Sequence, residues 1–252
     1  VTTLDVTNQN IADLTGIEDF TALDYFSCFF NQLTSLDVSS NTALTTLFCY
    51  YNQLTSLDVS QNTALTELGC SLNQLTSLDV SQNTALTYLY CNSNQLTSLD
   101  VSGNTALTYL NCQVNQLTSL DLSNNTALTS FNSTNNPNLF CIDVDDATYS
   151  TANWTNIDSW SSFSNNCATA FGCTDSLACN YDSIATIDDG SCIIPDGCTD
   201  PLACNYDSTA TCDDGSCNYP TSNSDTQTSC DTYSWNGTTY TTSGTYTYLT
   251  TN

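Results

Sequence analysis

Residues 75–95 read LTSLDVSQNTALTYLYCNSNQ, and the same 21-residue frame recurs from Leu33 through Gln116, with one divergent turn before it and another after it. Cysteines return in register at Cys28, Cys49, Cys70, Cys91 and Cys112. Asparagines form two further columns: Asn31, Asn52, Asn73, Asn94, Asn115 and Asn136, and Asn41, Asn62, Asn83, Asn104 and Asn125. So short a unit cannot bury its own leucines, so units must stack, about 4.8 Å apart, into a solenoid with a continuous leucine core. Each unit holds two short alternating segments, which predicts two parallel sheets. In 46–50, Leu47 and Cys49 point inward while Thr46, Phe48 and Tyr50 face out; in 56–60, Leu57 and Val59 point inward. The Asn amides are expected to satisfy turn backbone, coil upon coil. Equivalent cysteines on stacked strands lie farther apart than a disulfide favours, and a buried thiol behaves as a small hydrophobe. With Ser133 standing in the sixth position, the column reads as inert core thiols rather than a metal site.

This frame resembles the leucine-rich repeats, specifically the 21-residue bacterial class called IRREKO, with the form LxxLxCxxNxLxxLDLxxN. Leu44, Leu47, Cys49, Asn52, Leu54, Leu57, Asp58, Val59 and Asn62 carry the resemblance, which covers about residues 4–145. The fold class expected is mainly β: a leucine-rich-repeat solenoid with parallel sheets at 1–140 and a C-terminal cap at 141–170. Two small disulfide-rich modules follow at 171–194 and 195–218, then a Ser/Thr-rich linker and the start of a β-rich domain at 219–252.

The 252 residues include 24 Asp and 2 Glu but no Lys, Arg, His or Met, for a formal charge of −26. A typical soluble chain is roughly a quarter charged with both signs mixed, so this loss of every cationic side chain is a selected property. Without His or Lys there is no Ser-His-Asp or Cys-His catalysis, Schiff-base lysine or imidazole metal site. Without Arg there is no bidentate phosphate clamp. The charge repels nucleic acid and anionic lipid, and no apolar run is long enough to span a bilayer, so neither nucleic-acid binding nor direct membrane insertion is expected. Fifteen cysteines, concentrated after residue 140, point to an oxidising, extracellular setting. Val1 as first residue fits a mature secreted chain and equally an incomplete one.

Comparing units within the chain separates two flanks. One repeats the triplet Ser35-Asp37-Ser39, Ser56-Asp58-Ser60, Ser77-Asp79-Ser81, Ser98-Asp100-Ser102 and Ser119-Asp121-Ser123. Asp side chains at coil spacing repel by about 1 kcal/mol per pair in water, so hydroxyl bonding, or a ladder of Ca²⁺ or Na⁺, must offset it. Hydroxyl bonding is the preferred reading. The other flank changes at each coil and presents nine outward aromatics, among them Phe30 and Tyr51. Tyr25, Phe29, Phe48, Tyr50, Tyr88, Tyr90 and Tyr109 are the aromatic ligand-binding candidates, with Glu67 as a lone acceptor. Gly69, with Ser71, is expected to leave a notch between the Phe48/Tyr50 and Tyr88/Tyr90 walls, suited to a sugar ring.

In the cap, Trp154, Trp160 and Phe163 can cover the last coil, and position suggests a Cys141–Cys167 bridge. The modules start at Cys173 and Cys198 and are too small for a core of their own. In the second, Cys198, Cys204, Cys212 and Cys217 allow three disulfide connectivities. In the first, Ile187 stands where Cys212 does, so one cysteine there pairs outside the module or stays free. Asp188, Asp189, Asp213 and Asp214 place carboxylates in Gly turns of a kind that suits Ca²⁺, or form plain solvated turns. Asn236-Gly237 reads as a hairpin turn, and Cys230 has no nearby mate.

Taken together, the coils, the CTDPLACNYD…DDGSC modules and the CDTYSWNGTTYTTSGTYTY segment resemble surface adhesins of Bacteroidetes exported by the type IX secretion system. Ser176, Ser183 and Ser208 lie in motifs similar to that phylum's O-glycosylation sites. The resemblance implies a non-enzymatic glycoprotein at the cell surface. It would bind a glycan or a surface protein through the aromatic flank. The alternative is a structural subunit of an extracellular filament or appendage, its copies joined as a homo-oligomer through the constant flank and calcium. An enzyme would have only carboxylates to use, Glu18 and Glu67 being the sole glutamates.

Overall fold

A computed structural model describes residues 1–219, 221–225, 232–235, 237–242 and 246–250. The chain divides into two compact units, Val1–Ala170 and Phe171–Asn252.

In the first unit the 21-residue period becomes one turn of a solenoid. Strands Thr3–Asp5, Tyr25–Ser27, Thr46–Phe48, Glu67–Gly69, Tyr88–Tyr90, Tyr109–Asn111 and Ser130–Asn132 form one parallel sheet of seven. Leu47, Leu68, Leu89 and Leu110 stand in register across it and are fully buried. They join the leucine, valine and cysteine columns in a single core running from Ile17 to Trp154.

Each strand is ended in the same way. Phe30, Tyr51, Leu72, Ser93, Val114 and Asn135 take φ between 50° and 61°, a left-handed conformation that costs a non-glycine residue about 1–2 kcal/mol. The next residue is always the first-column asparagine. Asn73 donates through Nδ2 to the Cys49 and Cys70 carbonyls, both at 3.0 Å, and accepts the Leu54 N–H at 3.0 Å. One amide thus satisfies its own turn and the coil before it. Asn52, Asn94, Asn115 and Asn136 make the same set. The second column behaves differently. Asn62 and its equivalents each donate twice to the preceding coil, but their Oδ1 atoms are buried without a hydrogen-bond partner.

The second flank is not the sheet that its alternation predicts. Asp37 and Asp58 share one bridge, and a three-stranded parallel sheet of Leu120–Asp121, Cys141–Asp143 and Ser162–Ser164 forms only where the cap begins. Between them, 77–81 and 98–102 belong to no ladder. Clefts lined by Ser77, Leu78, Asp79, Ser98 and Asp100 open between coils on this side.

The cap closes the core with Trp154, whose ring lies 5.4 Å from Phe131 and 5.7 Å from Phe163. Helix Ala147–Asn153 precedes it, its first turn capped by the Asp146 carboxylate, which accepts the Tyr149 N–H at 2.9 Å. Trp160, expected beside them, is 48% exposed and sits at the rim, where Nε1 donates to the Asn136 carbonyl. Cys141 is bonded to Cys167.

The second unit is held by cross-links. Cys173–Cys192 and Cys198–Cys217 each close one module, while Cys179–Cys212 joins the two. Ile187 leaves the first module without its own counterpart of Cys212, and Cys179 takes that cysteine from the second. Cys204, the counterpart of Cys179 and expected in a disulfide, is therefore left as an exposed free thiol among the described residues. Tyr233–Trp235 and Thr238–Tyr240 pair antiparallel with Trp235 opposite Thr238, and Gly237 takes φ 78°. Asn236 and Cys230 lie outside the described residues.

Two outcomes follow. Asn73→Ala leaves the buried Leu54 N–H without a partner and takes one of two amide donors from each of the Cys49 and Cys70 carbonyls, which keep Asn52 and Asn94, and it lowers stability by about 2 kcal/mol, read as a shift in the urea midpoint. Asp-N digestion without reduction releases a peptide pair linked through Cys179 and Cys212; a Cys204–Cys212 link in its place refutes the exchange between modules.

Candidate functional site

The variable flank of the seven-stranded sheet carries the candidate site. Register places Thr46, Glu67 and Tyr88 abreast on neighbouring strands, and Phe48, Gly69 and Tyr90 abreast two residues later. Since side chains alternate between faces, all six positions are on the outward side. The leucines between them face the core.

The rings do not stand apart as two walls. Tyr25 meets Phe48 edge-on at 5.9 Å, Phe48 stacks on Tyr50 at 5.3 Å, and Tyr50 meets Tyr90 edge-on at 6.1 Å. Tyr90 then lies 4.8 Å from Tyr109, and Tyr109 lies 6.1 Å from Tyr88. Phe29 joins through Tyr50 at 6.3 Å. The result is one continuous aromatic surface across coils, each ring half-buried by its neighbours except Tyr88, which is exposed. Gly69 is what permits it. A Cβ at this position would stand 2.0 Å from the Tyr50 ring, so Tyr50 fills the space that reads from sequence as an open notch. Ser71, the other notch residue, is buried and its hydroxyl bonds Asn92 Oδ1 at 2.5 Å.

Phe30 and Tyr51, outward in the sequence reading but not among its ligand-binding candidates, extend this surface. Their rings stack at 4.2 Å, and they are 50% and 46% exposed. Strict alternation would turn them inward, since Phe29 and Tyr50 just before them face out, and it is the left-handed turn that leaves them exposed. Their left-handed backbone gives no sequence signal, because Phe, Tyr, Leu and Val are not turn formers.

The electrostatics of the two flanks differ. Burial among the rings pushes the Tyr50 and Tyr90 phenols up, with Glu67 adding to both, so they remain protonated donors at neutral pH. Burial also raises the Glu67 carboxyl. On the constant flank each Asp accepts the backbone N–H of the serine two residues on, as Asp58 does from Ser60 at 2.9 Å. The serine hydroxyls, foremost at Asp37 and Asp100, and these N–H bonds, foremost at Asp58 and Asp79, hold the four exposed carboxyls below the ordinary range. Inside, burial pushes the Cys28, Cys70 and Cys112 thiols up to about 12, so the column carries no thiolate at neutral pH.

In the second unit, Asp188, Asp189, Asp213 and Asp214 are exposed, and each turns one oxygen onto a backbone N–H two residues ahead. Among the described residues no three His, Cys, Asp or Glu side chains converge as a metal site. Ser176, Ser183 and Ser208 are exposed.

No family model matches the chain. Over 42 residues, a length of two coils, it is 50% identical to internalin J of Listeria monocytogenes, a match covering 17% of this chain and 5% of that protein. The solved functional domain of internalin J, described as including a cysteine ladder, is 36% identical, with 57% of this chain and 44% of that chain covered and a TM-score of 0.37. A second internalin of that species, InlF, is 21% identical over 65% of this chain and 56% of its own, with a TM-score of 0.53. The solenoid is a leucine-rich repeat. The chain spans less than two thirds of the length of each of these relatives, and among its described residues no helix is long and apolar enough to cross a membrane.

Because only the far end of the Tyr50 ring opposes position 69, Gly69→Ala displaces the ring and not the backbone. Near-UV circular dichroism changes as the Tyr50–Tyr90 contact breaks, far-UV signal is kept, and stability falls by about 1 kcal/mol.

Proposed function

We propose that this chain is a non-enzymatic extracellular recognition module that binds a protein partner through the aromatic flank of its leucine-rich repeat. One observation carries the reading: the rings join across coils on the flank whose residues vary, while the flank that repeats spends its polar groups on its own backbone. A contiguous exposed apolar surface is what interfaces are made from. Tyrosine rings held by packing bring large contact area at little entropic cost. The internalin matches support a recognition role at a cell surface. The resemblance of the cysteine modules to type IX-exported surface proteins supports the same location.

Tyr50 occupying the Gly69 site favours a protein over a sugar, since a ring-sized recess is replaced by a nearly continuous surface. A glycan partner remains the other outcome of the test. With no lysine in the chain, amine coupling attaches only the Val1 amino group, so all immobilised molecules present the solenoid alike. The whole chain coupled in this way is exposed to a panel of purified extracellular-matrix proteins and to a glycan array. Tyr90→Ala with Tyr109→Ala lowers retention of any bound partner at least about tenfold, whereas Asp79→Asn on the constant flank leaves it unchanged. Equal retention by the double variant refutes the assignment of this face, and binding on the glycan array alone replaces the protein partner with a sugar.

A further inference from the structure

Glu67 is the one ionised side chain on the aromatic flank within the repeat core, and its setting specifies its counterpart. It stands abreast of Thr46 and Tyr88 and two residues before Gly69, where the Tyr50 ring lies. Tyr50 and Tyr90 meet at 79°, so the two rings make a corner, and both phenols feel the Glu67 charge. Among the described residues no hydrogen-bond donor reaches the Glu67 carboxylate, which burial raises. A partly desolvated carboxylate beside aromatic rings gains most from a cation. This chain has no lysine, arginine or histidine to offer, so a second copy could bring only its terminal amine.

We propose that Glu67, Tyr50 and Tyr90 form the seat for an arginine side chain of a protein partner. The proposal rests on the aromatic flank being the recognition surface. Arginine is favoured over lysine by shape. A guanidinium is planar, stacks on a ring face while its edge donates two parallel N–H bonds to a carboxylate, and is more weakly hydrated than an ammonium. Two rings at a corner with one carboxylate alongside supply both kinds of contact. The chain's charge of −26 draws cationic partners from a distance, and the seat selects among them on contact.

The test uses the whole chain with side-chain-labelled tyrosines, titrated with N-acetylarginine amide, its uncharged isostere N-acetylcitrulline amide, and N-acetyllysine amide. The arginine compound is expected to shift the Tyr50 and Tyr90 ring resonances, with affinity about fivefold or more above both others. Glu67→Gln, at a half-exposed position that does not enter the core, removes that advantage while leaving the melting curve unchanged. Citrulline or lysine binding as tightly as arginine, or an unaltered preference in Glu67→Gln, overturns the seat. Failure of the seat and failure of the wider reading are separable. If Tyr90→Ala abolishes retention of a protein partner while Glu67→Gln does not, the surface stands and the arginine seat falls. If the arginine compound binds at Glu67 but Tyr90→Ala with Tyr109→Ala keeps full retention, the surface reading falls and the seat for a partner's arginine falls with it.

Discussion

The solenoid depends on a single side-chain interaction, repeated once per coil: the first-column asparagine that closes the turn after each strand. Ending a strand with Phe30, Tyr51, Leu72 or Val114 in a left-handed conformation is costly in isolation, since none of these side chains tolerates it well. The asparagine that follows makes the turn stable. Its amide donates to two carbonyls and accepts one N–H, and the bonds run to two consecutive coils. Local turn and global stacking are therefore fixed by the same group. A water molecule could not replace it, because these sites are buried and the amide presents its donors and acceptor in a fixed plane.

Once coils are locked at ladder spacing on one flank, the differences between the flanks follow. On the first, outward side chains at neighbouring strands are close enough for rings to touch, and the aromatic residues assemble into one surface. On the second, the backbone ladder lapses between the Asp37–Asp58 bridge and the cap, and each Asp bonds to its own turn. An acidic, uniform flank and an aromatic, varied one share one stack.

The second unit solves stability by another route. Its modules bury little and rely on covalent closure, with one disulfide inside each and one exchanged between them. The exchange explains the cysteine arithmetic of the repeat. Ile187 leaves the first module one cysteine short, Cys179 borrows Cys212, and Cys204 is left over.

Period, core and the burial of the cysteine column were legible in the sequence, because a 21-residue repeat of leucines has one way to exclude water and the same residues recur at every turn. So was the outward direction of the aromatic residues other than Phe30 and Tyr51, which strand alternation fixes. What sequence could not reach were relations between coils. The two Asn columns look alike in the chain, yet one has all its polar atoms paired and the other leaves Oδ1 without a donor. The second flank alternates like a strand, yet apart from the Asp37–Asp58 bridge it forms no ladder until the cap. Position 69 reads as an open notch, and a ring from the coil before fills it. Periodicity in one chain determines which residues point in and which point out; only the stacked structure decides how neighbouring coils divide the space between them, because that depends on distances across coils that no single repeat encodes.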